Sequence, residues 1–478
     1  MNPINLNLTA LYASQLQELS LARLSYDGVI PTWLSGSFIS NGPAQFEVGN
    51  TQFNHWLDGF AMLKKFTFHA GQVSFQNRFL RSKQYIKSNA DKKLYFNEFD
   101  TYADTSWPSR LMHSLHFMMK PEMYDNCSVN TTRIADNYIA MTETSAILSF
   151  NANDLQTQGL FTFTDNMQGQ MSLAHPQLDI TTREMINITT DIGKDIQYHI
   201  YKVAPGKLSR ELIKTYRSDK LFYIHSFSIT PNYVILFKSP LVGSKLKLML
   251  NLPFNKTLTW EENVPSYFII INRHNGEVTE VEAEPFICLH SVNAFESANE
   301  IILDLICYEN GNPYNELCLA NLRSATPKFM PVNLRRYTIN MTAKKCGYLV
   351  LEHDAVEFPR INYMKANGQN YQFAYMALLT DQQQHSIFNA IQKIDMNTAC
   401  QYRWQKAGYY PGEPIFIARP QSVQEDDGVV IFIAFCVAKQ CSALIILDAR
   451  DMQQLAEIQL PIALPLGLHG NFYADVGV

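Results

Sequence analysis

Residues 267–281 read Tyr-Phe-Ile-Ile-Ile-Asn-Arg-His-Asn-Gly-Glu-Val-Thr-Glu-Val, a stretch typical of a β-hairpin. Asn275-Gly276 tolerates the positive φ angles of a type I′ turn, and the apolar runs on either side have the composition of strands. The same pattern occurs earlier in the chain, where residues 65–68 and 72–75 alternate around Ala70-Gly71. Antiparallel hairpins are therefore the predicted building unit.

The rest of the chain follows this rhythm. Helical periodicity is confined to Asp381–Met396 and part of Leu16–Arg23, and no Pro/Gly/Ser-rich linker or charge block divides the sequence. We therefore predict an all-β fold in which residues 1–478 form a single domain. The pattern alone leaves a large barrel, a sandwich and a propeller open.

Composition narrows the classes of function. The chain of 478 residues is 46% hydrophobic and 17% charged, so it has enough apolar residues for a large core. Its formal net charge of -5 gives no excess of basic residues for binding nucleic acid. Its eight cysteines are scattered without a Cys-x-x-Cys pair, and Met1–Ser20 lacks the pattern of a secretory signal, so we predict a cytoplasmic protein. The longest apolar run, Val429–Ala438, is shorter than the ~20 residues of a membrane span and is predicted to be a buried strand.

Two segments interrupt the strand pattern, Ser106–Tyr124 and Leu241–Phe254. Both mix Lys or His with large apolar residues. Such a composition suits peripheral contact with a membrane interface, and it equally suits loops that cover the core.

Four histidines share an unusual context, because each lies in or at the end of an apolar strand-like segment beside a proline, a glycine or a small residue. They are His175, His225, His290 and His469. One such histidine is more often a hydrogen-bonded core residue than a ligand. Four together strengthen the interpretation as a metal site, which requires a closed fold that returns distant strands to a common axis.

Three acids lie near apolar residues: Glu143, Glu357 and Glu425. Metal-bound histidines need a hydrogen-bond partner for the second ring nitrogen, and carboxylates commonly serve. Each acid could instead be a surface or turn residue, and that interpretation is strongest for Glu425 because Asp426-Asp427-Gly428 is a turn composition.

The chain resembles the carotenoid cleavage oxygenase family, in its animal-type branch of carotenoid oxygenases and retinoid isomerohydrolases. The similarity runs through an ordered series of motifs: Trp33-Leu34-Ser35-Gly36-Ser37-Phe38, His55-Trp56-Leu57-Asp58-Gly59, Ala174-His175-Pro176, Ile224-His225-Ser226-Phe227, His290-Ser291-Val292-Asn293, Glu357-Phe358-Pro359-Arg360-Ile361-Asn362, Glu425-Asp426-Asp427-Gly428 and Leu468-His469-Gly470. The resemblance implies a seven-bladed β-propeller with a few helices and loops capping the iron-site face. It also implies His175, His225, His290 and His469 as iron(II) ligands, with Glu143, Glu357 and Glu425 as the supporting acids of the catalytic centre.

The activity implied by this resemblance is a non-haem iron(II) dioxygenase reaction that uses molecular oxygen to cleave a double bond of a hydrophobic polyene, a carotenoid or apocarotenoid, into two carbonyl products. Three alternatives remain: a retinoid isomerohydrolase, a stilbenoid-cleaving oxygenase and a non-catalytic lipid-binding propeller. Thr142 stands where stilbenoid-cleaving relatives carry lysine, which weakens the second. Residues 103–108, Ala-Asp-Thr-Ser-Trp-Pro, replace the animal Pro-Asp-Pro-Cys-Lys motif, so cysteine-based lipid attachment there is excluded, and membrane contact would depend on 106–124 and 241–254.

Overall fold

The computed structural model describes residues 8–103, 106, 108, 112, 115, 124–380 and 388–477. Within these ranges the chain is mostly antiparallel β-sheet, as predicted. The α-helices whose bounds fall within continuously described residues are short and span Lys83–Asp91, Lys245–Met249, Phe254–Thr257, Leu319–Leu322 and Tyr363–Ala366. Single 3-10 turns span Thr9–Tyr12, Trp56–Asp58 and Pro313–Leu317.

Five consecutive sheets contain four or five strands each, and within each sheet every strand pairs with the next one named. The first contains Thr157–Leu160, Leu148–Phe150, Asn137–Met141 and Asn130–Ile134; the second contains Met171–Ser172, Met185–Ile192, Ile196–Val203 and Glu211–Ser218, with Gln177–Leu178 beside Met185–Ile192. The third contains Ser228–Ile229, Tyr233–Lys238, Ser266–Asn272 and Val278–Ala283; the fourth contains Ile287–Ser297, Glu300–Tyr308, Val332–Asn340 and Lys345–Glu352. The fifth contains Ala355–Arg360, Phe373–Leu379, Ala390–Asp395 and Gln401–Gln405.

Two six-stranded sheets combine segments from both ends of the chain. One contains Ser20–Leu21, Gln72–Phe79, Phe60–His69, Gly36–Ser40 and Gly470–Tyr473, with Pro43–Gln45 beside Phe60–His69. The other contains Tyr26–Gly28, Gln454–Gln459, Cys441–Asp448, Gly428–Cys436 and Tyr409–Pro411, with Ile415–Ala418 beside Gly428–Cys436. Smaller sheets pair Leu221–Phe222, Leu241–Gly243 and Leu258–Trp260, and Glu47–Val48 with Thr51–Gln52. The strand Gly470–Tyr473 thus pairs with Gly36–Ser40, a strand from the first part of the chain.

Both predicted hairpins are confirmed, with different turns. Ile271 pairs with Val278, and of the loop residues 273–276 only Gly276 has positive φ, at 72°, so the type I′ turn predicted at Asn275-Gly276 is wrong. Ala70 and Gly71 have φ angles of 48° and 73° between His69 and Gln72, and this is the combination that a type I′ turn requires.

Both predicted helices are wrong where the structure describes them. Ser20–Leu21 is a strand paired with Phe75 and Gln76. Residues 381–387 lie outside the described ranges, but Ala390–Asp395 is a strand that lies between two others in its sheet, and all six of its residues are buried. A strand that is buried on both faces lacks the alternation of apolar and polar residues that identifies a half-buried strand. The buried-strand prediction for Val429–Ala438 is confirmed by Gly428–Cys436.

Candidate metal centre

The four predicted histidines come together, and each is presented where a strand ends or is interrupted. His175 lies between Met171–Ser172 and Gln177–Leu178, and His225 lies between Leu221–Phe222 and Ser228–Ile229. His290 lies at a register shift in the strand Ile287–Ser297, and His469 immediately precedes Gly470–Tyr473. Interruptions of this kind turn a side chain away from the sheet face, which lets the rings converge.

The convergent atoms are the Nε2 nitrogens. Those of His175 and His225 are 3.0 Å apart, those of His225 and His290 are 3.3 Å apart, and those of His290 and His469 are 3.2 Å apart. One ligand atom from each of the four rings lies within 4.8 Å of every other. Two nitrogens at right angles about a cation, each at about 2.1 Å, would be roughly 3 Å apart, so the spacing fits one metal ion.

Three rings direct Nδ1 at a carboxylate. His225 Nδ1 hydrogen-bonds to Glu143 Oε1, His290 Nδ1 is 2.5 Å from Glu357 Oε2, and His469 Nδ1 is 2.7 Å from Glu413 Oε1. Because a carboxylate only accepts, it places the ring proton on Nδ1 and leaves the Nε2 lone pair free. Lone pairs that face one another at about 3 Å repel, so the converging Nε2 atoms are suited to binding a shared cation.

Glu425 does not occupy the predicted position behind a histidine. Its carboxylate accepts hydrogen bonds from the backbone amides of Gln372, at 3.0 and 3.1 Å, and of Phe373, at 2.8 Å. The partner of His469 is instead Glu413, which the sequence pattern did not single out. Glu413 lies between Gly412 and Pro414 in an apolar stretch, the same kind of context that drew attention to Glu143 and Glu357.

A further set of groups supports the carboxylates from behind. The Tyr223 hydroxyl donates to Glu143, at 2.8 and 2.9 Å from its two oxygens, and the Tyr308 hydroxyl donates to Glu357 Oε1 at 2.7 Å. Arg360 donates Nε to Glu413 Oε1 at 2.9 Å. The backbone of the first ligand is also held, because Asn130 Nδ2 donates to the Ala174 carbonyl at 2.8 Å.

Burial and neighbouring charge perturb the pKa values in this cluster. Burial, then the neighbouring imidazoles, lowers the pKa of His175 and of His469 well below the usual range, so both rings are neutral and able to bind metal. Burial acts to raise the pKa of Glu357, but His290 and the Tyr308 hydroxyl outweigh it and hold this pKa below its ordinary value. Burial raises the pKa of Glu413, against the opposing effect of Arg360.

A cavity of about 480 Å³ opens beside the histidines, with His225, His290 and His469 in its wall. Its lining is predominantly apolar and includes Val129, Phe99, Phe254, Phe329, Phe358, Phe388, Leu252 and Leu468. This size and lining suit an extended hydrophobic ligand. Glu143, Glu357 and Thr142 also line the cavity, so polar groups are present near the metal centre.

The predicted amphipathic segment Leu241–Phe254 lies at this cavity. Leu248, Met249 and Leu252 line it, and on the short helix Lys245–Met249 the side chains of Leu246 and Met249 are also 66% and 58% exposed. Most of the other segment, Ser106–Tyr124, lies outside the described residues. No described helix is both long and apolar enough to cross a membrane.

Comparison with known proteins identifies the family. The model of the RPE65 family, described as retinal pigment epithelial membrane protein, matches residues 12–474. The chain belongs to this family of carotenoid cleavage oxygenases. A carotenoid-cleaving dioxygenase from Macaca fascicularis, named as mitochondrial, is 27% identical over 93% of this chain and 90% of its own length. The β,β-carotene 15,15′-dioxygenase of Rattus norvegicus is 27% identical over 96% of this chain and 90% of its own length.

Solved structures of the carotenoid cleavage oxygenases share the fold of this chain. A variant of the Synechocystis apocarotenoid oxygenase superposes with a TM-score of 0.89 at 24% identity, covering 98% of both chains. A chimera of that oxygenase with RPE65 gives the same TM-score, identity and coverage. The propeller architecture expected from the sequence is therefore supported across nearly the whole chain.

Proposed function

We propose that this chain is a non-haem iron(II) dioxygenase that cleaves one double bond of a carotenoid or apocarotenoid into two carbonyl products. The observation that carries the proposal is the convergence of four histidine Nε2 atoms in the wall of an apolar cavity. The named relatives are carotenoid-cleaving dioxygenases, and the chain covers about nine-tenths of their length.

His175, His225, His290 and His469 would hold the iron. When bound, iron(II) supplies the activation of dioxygen at the coordination positions that the four rings leave open. Glu143, Glu357 and Glu413 keep the proton on Nδ1 of their histidines and fix the ring planes. The apolar walls hold the polyene beside the rings and exclude water, so that both oxygen atoms of one dioxygen end in the two carbonyl groups.

We further propose that the seven sheets of four to six strands are the blades of one propeller domain spanning residues 1–478. The pairing of Gly36–Ser40 with Gly470–Tyr473 supports closure of the ring, since it joins the two ends of the chain in one blade. The exposed apolar residues of Lys245–Met249 support peripheral membrane contact beside the cavity, through which a water-insoluble polyene would enter. Location in the cytoplasm remains a prediction.

Oxygen uptake and product analysis test the catalytic proposal. Purified protein loaded anaerobically with iron(II) is incubated with a panel of carotenoids and apocarotenoids, and we expect oxygen consumption equal to substrate loss, with paired carbonyl products by mass spectrometry. His290→Ala removes a ligand and should abolish both signals, while His274→Gln changes an exposed histidine and should leave them intact.

Two results would contradict the proposal. Conversion of a retinyl ester without oxygen, together with no carotenoid cleavage, would assign the chain to the retinoid isomerohydrolases, in which the metal assists departure of the ester. Absence of bound iron, with no gain of activity on adding iron(II), would instead favour a lipid-binding propeller.

A further inference from the structure

The three carboxylates behind the histidines differ in what supports them. Glu143 and Glu357 accept hydrogen bonds from neutral tyrosine hydroxyls, whereas Glu413 faces the guanidinium of Arg360. Arginine is charged at every relevant pH, so Arg360 places a permanent positive charge behind Glu413 where the other two carboxylates have a neutral donor.

Arg360 joins Glu413 to the chain segment that carries the last ligand. Its Nε donates to Glu413 Oε1 at 2.9 Å, and its Nη2 donates to the Gly470 carbonyl at 2.7 Å. The Gly470 amide donates to Glu413 Oε2 at 2.9 Å, and His469 Nδ1 lies 2.7 Å from Glu413 Oε1. Burial opposes ionisation of Glu413. Its neighbours Arg360, His469 Nδ1 and the Gly470 amide are all hydrogen-bond donors, however, so a protonated Glu413 would have no acceptor among them for its own proton, and the ionised form is favoured.

The guanidinium and carboxylate are largely removed from water. The side chains of Arg360 and Glu413 are 12% and 6% exposed. At such burial, solvent screens charge weakly, and each unit charge would strongly affect an ion bound by the four histidines.

The formal charges cancel for one oxidation state of the metal. Four neutral imidazoles carry no charge, three carboxylates carry three negative charges, and Arg360 returns one positive charge. These groups sum to two negative charges. A divalent ion would make the site neutral, whereas a trivalent ion would leave one positive charge uncompensated in a desolvated site. Without Arg360 the balance would shift by one unit in favour of the trivalent ion.

We infer that Arg360, acting through Glu413, sets the charge of the metal centre so that it favours ferrous over ferric iron. Arg360 is a positioning residue, because it contacts the partner of a ligand and the backbone beside that ligand. The inference rests on the proposed function, since it assumes that the four histidines hold iron.

The test compares Fe(III)/Fe(II) midpoint potentials at saturating iron in the full chain. Arg360→Met removes the positive charge, Arg360→Lys retains it, Glu413→Gln removes the negative charge, and the fourth variant combines Arg360→Met with Glu413→Gln. We expect a lower potential in Arg360→Met, a potential near wild type in Arg360→Lys, a higher one in Glu413→Gln, and a return toward wild type in the double variant. At a fixed applied potential, the ratio of ferrous to ferric iron should fall at least about tenfold in Arg360→Met, the order expected for one unit charge within about 10 Å in a weakly screening medium.

Electron paramagnetic resonance of the ferric fraction after exposure to air gives an independent readout that does not depend on turnover. If Arg360 had only a structural role, removing either it or Glu413 would disturb His469. Arg360→Met and Glu413→Gln would then shift the potential in the same direction, and the double variant would be no closer to wild type. That result, or an unchanged potential in Arg360→Met, overturns the inference.

If Arg360→Met fails to fold, Arg360→Gln, which also removes the positive charge, takes its place in the comparison and must give the same lower potential. If wild-type protein binds no iron, the proposed function and this inference fail together. If wild type binds iron and cleaves substrate while the variants do not follow the expected signs, only this inference fails.

Discussion

Exchanging Glu413 for glutamine should damage the metal centre, whereas the same exchange at Glu425 should leave it intact. The two acids form a matched pair, because Glu413 is buried, Glu425 is partly buried and both accept hydrogen bonds from backbone amides. They differ in that only Glu413 contacts a metal-site histidine. The comparison therefore isolates the support of His469 from the general cost of removing a partly desolvated charge.

The magnitude follows from the groups around Glu413. His469, Arg360 and the Gly470 amide all donate to it, so one donor would meet the new side-chain NH2 group instead of an oxygen. Loss of a hydrogen bond to a charged group costs about 1.5–3 kcal/mol. Removing the outer partner of a metal-bound histidine weakens metal affinity by about 10–100-fold, which corresponds to about 1.4–2.8 kcal/mol, so the two figures agree.

Competition with a chelator of known affinity, under anaerobic conditions, measures the iron(II) Kd. We expect Glu413→Gln to raise the Kd by about 10–100-fold and Glu425→Gln to change it by less than about twofold. Glu425→Gln should still lose about 1–3 kcal/mol of folding stability, because two backbone donors lose a charged acceptor. Equal weakening of iron binding by both variants, or none by Glu413→Gln, would refute the assignment of Glu413.

Four other outcomes are expected. The His290→Ala variant should purify without iron, whereas the His274→Gln variant should retain it, as measured by metal analysis. Iron in both variants would exclude His290 as a ligand. Chelation should lower the melting temperature, because free iron(II) at about a hundredfold excess over its Kd stabilises the folded state by about 2.7 kcal/mol; calorimetry of apo and iron-loaded protein checks this. Phe66→Ala should cost about 3–5 kcal/mol in denaturant unfolding, since its ring is fully buried, against less than about 0.5 kcal/mol for Val423→Ala at a 94% exposed site. Leu246→Ser should reduce sedimentation with lipid vesicles several-fold without changing the iron Kd, and unchanged sedimentation would argue against membrane contact through this helix.

The sequence is informative about strands and less so about exceptions to simple periodicity. Alternation in 65–75 and 267–281 correctly predicts two hairpins, because successive side chains of a strand point to opposite faces of the sheet. The pattern of Ala390–Asp395 wrongly predicts a helix, because all six residues of this strand are buried and it therefore lacks the alternation of a half-buried strand. Asn275-Gly276 is the dipeptide most typical of a type I′ turn, yet the matching φ angles occur at Ala70-Gly71.

The sequence singles out the four histidines that the structure brings together, because each has an apolar strand-like context and all four match motifs of the family that the chain resembles. Of the three predicted acids, Glu143 and Glu357 contact their histidines and Glu425 does not. A motif resemblance selects Glu425. Glu413 has a similar apolar context, but that context does not say which acid contacts His469, and only the fold places the Glu413 carboxylate against this ring.

The amino-acid sequence alone determined which side chains can bind a metal, the β-rich character of the chain and its family resemblance, because these depend on residue identity and local pattern. The tertiary structure alone decided that ligand atoms of four histidines distant in the chain lie within 4.8 Å of one another, which carboxylate contacts His469, and that Arg360 contacts that carboxylate. The physical reason is that hydrogen bonds and charges act over a few ångströms, and only folding brings residues so far apart in sequence to such distances.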